Sequence, residues 1–99
     1  MKDFSRWLLG AVLLTPLVGQ AAEPAACGTV RFADVGWTDI TVTTAVTSEI
    51  LRALGYQTTT NMISVPVTYK SMQNKDIDVF LGNWMPSMAA DIKPYADNG

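Results

Sequence analysis

The stretch Phe32-Ala33-Asp34-Val35-Gly36-Trp37-Thr38-Asp39-Ile40 passes from a short apolar run, through a glycine, into the opening of a helix. Upstream, Thr29 to Val35 is rich in β-branched and apolar residues, with Val30, Phe32 and Val35 as candidates for burial, and reads as a strand. Downstream, Ile40, Thr43, Thr44, Thr47, Ile50, Leu51 and Leu54 recur at the three- and four-residue spacing of one helical face. Thr38 or Asp39 supplies an N-cap, and Gly55 follows as the stop signal. The threonine- and valine-rich run Ile40 to Thr47 has strand propensity. The cap placement and the Glu49-Ile50-Leu51-Arg52-Ala53-Leu54 continuation decide for helix.

Further along, Tyr56 to Val65 resembles a second strand, and Pro66 ends it and starts a shorter helix through Met72. Asn74-Lys75-Asp76 reads as a turn. Ile77 to Leu81 is a near-continuous apolar run broken by Asp78, as expected of a strand covered on both faces of a parallel sheet. A loop, Gly82-Asn83-Trp84-Met85-Pro86, follows, and Pro86 to Tyr95 can begin a third helix. The alternation β-α-β-α-β-α predicts an α/β fold with a mainly parallel sheet. Ligands of such sheets bind beyond the carboxyl ends of the strands. Trp37 and Trp84 both fall there.

At 99 residues, 48% hydrophobic and 16% charged, the chain has the composition of a packed domain. A net charge of -2 lacks the basic surplus that nucleic-acid binding requires. Met1 to Ala22 has the parts of a secretory signal: Lys2 and Arg6, an apolar run from Trp7 to Val18, and small residues flanking Gln20. A signal peptide over 1–21, cleaved near Ala21/Ala22, is expected. A membrane anchor is the competing reading, but the apolar run is shorter than the roughly 20 residues a bilayer span needs, and Pro16 interrupts it. Removing it leaves under roughly 80 residues, where a single core is marginal without disulfides, metal or a partner. These residues read as the opening of an α/β domain. Cys27 is the sole cysteine, open to disulfide pairing or, after Ala25-Ala26, to lipidation, with Pro24 standing where a lipobox has leucine.

With no histidine and one cysteine, the chain cannot assemble a Ser-His or Cys-His relay or an ordinary zinc site. No phosphate-binding glycine loop follows a strand. Asp76 and Asp78 fit a turn and a strand flank better than a pair of catalytic acids. No enzymatic activity, metal or cofactor is therefore expected. A tryptophan in an α/β domain is most simply core. Two tryptophans, each beside a glycine just past a strand, favour a different role: walls of a pocket for a small organic cation, with Asp39 as its acidic partner.

The same residues resemble a known family. Phe32 to Ile40, Ser64-Val65-Pro66-Val67-Thr68-Tyr69-Lys70-Ser71-Met72 and Asp76 to Pro86 are similar to the opening part of the periplasmic choline- and glycine-betaine-binding proteins of ABC transporters. The resemblance implies residues 22–99 as the N-terminal part of such a substrate-binding domain, the first half of one type II-like periplasmic-binding-protein lobe, with the second lobe missing. It implies Trp37 and Trp84 as walls of an aromatic box around a trimethylammonium group, and Asp39 beside that group or the choline hydroxyl. The partners implied are choline, glycine betaine or carnitine, and an inner-membrane permease. The isolated segment is expected to bind choline or betaine poorly. A small exported protein-interaction domain with core tryptophans and no ligand is the alternative.

Overall fold

The structure, a computed structural model, describes residues 24–97. The expected leader and its cleavage point lie outside the described residues. After a 3-10 turn at Ala25–Cys27 come β1 (Thr29–Asp34), α1 (Thr38–Ala53), β2 (Gln57–Met62), α2 (Val65–Gln73), β3 (Val79–Phe80) and α3 (Ala89–Ala96). The three strands form one parallel sheet in the order β2-β1-β3. The alternating α/β pattern read from the sequence is thus the observed one.

β1 is central because its end is the most apolar part of the sheet: Phe32 and Ala33 are wholly buried. It pairs along its whole length with β2, from Thr29 opposite Gln57 to Asp34 opposite Met62. On its other edge only Phe32 and Ala33 have partners, Val79 and Phe80. β3 is therefore shorter than the apolar run Ile77 to Leu81 suggests. A strand extends only as far as a neighbour accepts its hydrogen bonds, and Val79 and Phe80 are half-buried rather than covered on both faces.

Three boundaries differ from the expected ones. β2 stops at Met62, and Val65 opens α2 behind Ser64, placing Pro66 in the first turn, where a missing N–H costs nothing. α3 starts at Ala89, not at Pro86. The N-cap of α1 is Trp37, without a side-chain capping bond, instead of Thr38 or Asp39.

The inward face of α1 keeps Ile40 and Thr44, with Thr47 and Leu51 half-buried, but leaves out the expected Ile50 and Leu54. Ile40, Thr44 and Ser48 are buried, whereas Val42, Val46, Ile50 and Leu54 form an outward apolar row at four-residue spacing. Threonine can be counted on either side of an amphipathic pattern. In α1 the hydroxyls of Thr43 and Thr47 bond the carbonyls four residues earlier, which satisfies them within a helix despite their strand propensity.

Candidate functional site

β1 and β3 run parallel, with Ala33 opposite Phe80, so the segments that follow them leave the sheet at the same edge. The first carries Trp37 and Asp39; the second carries Asn83 and Trp84. The first turn of α1 touches the second loop: a Cβ built on Gly82 would lie 3.2 Å from Ile40 Cγ1. Gly36 closes the opposite side, where a Cβ would lie 3.2 Å from the sulfur of Met62. Its φ of +83° is the left-handed conformation that a side chain disfavours.

Trp37 is 43% exposed and Trp84 54%. Neither indole makes a ring contact with another aromatic residue among the described residues. Large apolar side chains left in solvent at one strand-end edge are not core residues. Asp39, exposed in the first turn of α1, uses its main-chain carbonyl to accept the Thr43 hydroxyl. Its carboxylate has no hydrogen bond or ion pair among the described residues. The helix dipole favours an acidic group at this position.

Each tryptophan-bearing segment is anchored from below. The buried Asp34 carboxylate accepts the Gly36 N–H and the Thr41 hydroxyl, each at 2.8 Å. On the other side Tyr69, 5% exposed, donates its hydroxyl to Asn83 Oδ1 at 2.7 Å. The Tyr69 ring meets Phe80 edge-on, with centroids 5.9 Å apart, and stacks on Tyr95 at 6.0 Å. Burial, reinforced by Asp91, raises its phenol above the usual 10.0. Met88 completes the anchor, its sulfur accepting the main-chain N–H of Trp84 at 3.2 Å.

At the opposite, amino-terminal side of the β1–β3 pairing, Arg31 and Asp78 are joined through both guanidinium and main chain. Nε donates to Oδ2 at 2.9 Å, Nη2 to Oδ1 at 2.8 Å, and the Arg31 N–H to Oδ2 at 2.9 Å. These bonds hold the Asp78 carboxyl at about 2, below its ordinary 3.8. Asp78 is thereby a structural staple between β1 and the segment that leads into β3.

A groove of about 510 Å³ runs from the Asp34 anchor between α1 and the sheet, lined by Asp34, Thr41, Thr44, Ser48 and Arg52 among others. Trp37 and Trp84 do not line it. The strand-end edge is a surface with two projecting indoles, and a cavity there requires an opposing wall.

Sequence reasoning placed Trp37, Asp39 and Trp84 on two neighbouring segments at one edge of the sheet. It missed Asp34 and Tyr69, the residues beneath them. The spacing Asp34-Val35-Gly36 is a recognisable signal for the first, since an aspartate often bonds the N–H two residues on. No local signal marks Tyr69, whose partner is 14 residues away.

This chain belongs to the family of substrate-binding domains of ABC-type glycine betaine transport systems, whose model matches residues 28–99. The family is defined by transport rather than by an enzymatic reaction. An uncharacterised protein, ORF1, of Chromohalobacter salexigens is 50% identical over all 99 residues, and the chain spans 64% of that relative. Among solved structures, an ABC-transporter choline-binding protein in complex with choline is 68% identical, with a TM-score of 0.75 over 77% of this chain. An ABC-transporter choline-binding protein in an unliganded semi-closed conformation, also 68% identical, gives 0.69 over 74%. The chain spans 26% and 25% of those two proteins.

Proposed function

We propose that this chain is the N-terminal part of a choline-binding component of an ABC importer, with Trp37 and Trp84 as two walls of its aromatic box and Asp39 as the acidic partner. The carrying observation is the pair of exposed indoles at the ends of adjacent parallel strands, beside a carboxylate with no hydrogen-bond or ion-pair partner among the described residues. A trimethylammonium group has no N–H to donate, so hydrogen bonds cannot hold its head. The negative faces of aromatic rings can, at roughly 0.5–2 kcal/mol per contact. Asp39 favours a cation such as choline over a zwitterion, whose carboxylate needs a cationic or N–H partner. The 68% identity to a protein solved with choline supports the same ligand.

Residues 1–21 act as the export signal, and residues 22–99 work in the periplasm with an inner-membrane permease. Binding, not catalysis, is the task. Two walls leave most of a cation solvated, so the 99-residue chain alone binds choline weakly. The exposure of both tryptophans speaks against the alternative of a ligand-free domain with a tryptophan core.

The test is a chimera in which residues 28–99 replace the corresponding quarter of the solved choline-binding protein. Choline titration, followed by calorimetry and tryptophan emission, is expected to show saturable binding. Trp37→Ala and Trp84→Ala should each weaken it about threefold to thirtyfold, the equivalent of one cation–π contact. Unchanged affinity in both variants would overturn the assignment.

A further inference from the structure

We propose that Asp34 is the positioning residue of the Trp37 wall; its purpose rests on the choline assignment above, its geometry does not. Asp34 closes β1, is 3% exposed and offers three acceptors to three different parts of the chain. Its main-chain carbonyl takes the Ile63 N–H at 2.9 Å, just beyond β2. Oδ1 takes the Gly36 N–H and Oδ2 the Thr41 hydroxyl, both at 2.8 Å. Trp37 lies between the two side-chain anchor points. Gly36 directly precedes it, and Thr41, one helical turn on, donates its own N–H to the Trp37 carbonyl at 2.8 Å.

Among the described residues, no side chain within the turn itself holds it. Trp37 is the N-cap of α1 but contributes no side-chain capping bond, and Gly36 has no side chain to lock its left-handed backbone. The Asp34 carboxylate, by gripping the turn before the indole and the helix after it, sets the angle at which α1 leaves the sheet. That angle aims both Trp37 and Asp39. Burying a carboxylate is costly unless its oxygens are filled, and these are filled by the two groups whose spacing fixes the wall. No cation pairs with Asp34 among the described residues. Its charge therefore adds to that of Asp39 at the same strand end and biases the edge toward cations.

The experiment uses the full 99-residue chain labelled with 5-fluorotryptophan, its fluorine resonances assigned through Trp37→Phe and Trp84→Phe. In Asp34→Ala and Thr41→Val the Trp37 resonance should shift and broaden while that of Trp84 stays in place. Thr41→Ser, which keeps the hydroxyl, should restore it. Asp34→Asn retains one acceptor and turns a donor toward Thr41, whose hydroxyl then accepts, so the resonance should move least while the charge is lost. In the chimera described above, Asp34→Ala and Thr41→Val should raise the choline Kd about tenfold, as expected when one ring is misaligned.

An unmoved Trp37 resonance in a folded Asp34→Ala or Thr41→Val chain overturns the proposal. If Asp34→Ala fails to fold, Thr41→Val decides alone, because it removes a single bond at an exposed residue. A chimera that ignores choline while Trp37 still responds to Thr41→Val sinks the choline assignment and leaves the positioning role standing.

Discussion

Replacing Gly82 by alanine adds one methyl group where the structure has no room for it. The new Cβ would lie 2.7 Å and 2.9 Å from Cε2 and Cζ of Phe80, and 3.2 Å from Ile40 Cγ1. Swinging Phe80 away would give up its edge-on contact with Tyr69. Overpacking of this kind costs about 1–3 kcal/mol. In the opposite direction, alanine restricts the unfolded chain and stabilises by about 0.4–1 kcal/mol. The clash should win, leaving Gly82→Ala about 1–2 kcal/mol less stable, or roughly 4–16 °C in Tm for a domain of this size. Urea unfolding followed by far-UV circular dichroism should show a lower midpoint with an unchanged slope. In the Phe80→Leu background the same substitution should cost under about 0.5 kcal/mol, a coupling of about 1 kcal/mol between contacting residues. Equal or greater stability of Gly82→Ala, or an undiminished cost beside Phe80→Leu, would refute the steric reasoning.

Asp78 is held at about 2 by Arg31, so its contribution is complete above about pH 4 and is lost as the pH falls toward 2. Because the pair is more than a third exposed, solvent screening limits that contribution to under about 1 kcal/mol, and Asp78→Asn should flatten the acid side of the Tm–pH curve. Tyr69→Phe should cost about 0.5–1.5 kcal/mol and alter Trp84 emission, since Asn83 loses the hydroxyl that tethers its loop. With its phenol raised above 10.0, Tyr69 should also make the wild-type fold less stable as the pH climbs past that value, a slope that calorimetry should find absent in Tyr69→Phe. Thr44 is 2% exposed and its hydroxyl has no hydrogen-bond partner among the described residues, so Thr44→Val should raise stability by about 1 kcal/mol in the same urea assay.

The sequence is most legible where its signals are local. An apolar run, a glycine and a helical repeat in immediate succession placed β1, the turn at Gly36 and α1 within a residue or so, and with them Trp37 and Asp39. The third apolar run placed Trp84 beyond a strand end for the same reason. The inward face of α1 was legible only in part, because Ile40 and Thr44 are buried as expected but Ser48 joins them and the more apolar row points outward. Hydropathy measures preference for burial, whereas here the available neighbours decide which face is covered. The length of β3 depends on how far β1 can pair with it, which no property of Ile77 to Leu81 encodes. Likewise the partners of Arg31 and Tyr69 are fixed only when the chain has folded back on itself.

No strand of this sheet can meet its neighbour through a hairpin, since β2 and β3 both run parallel to β1. Arg31 must find Asp78 across 47 positions, and closing so long a loop slows folding far more than it weakens the folded state. Until Val79 and Phe80 arrive, the central strand keeps one edge bare.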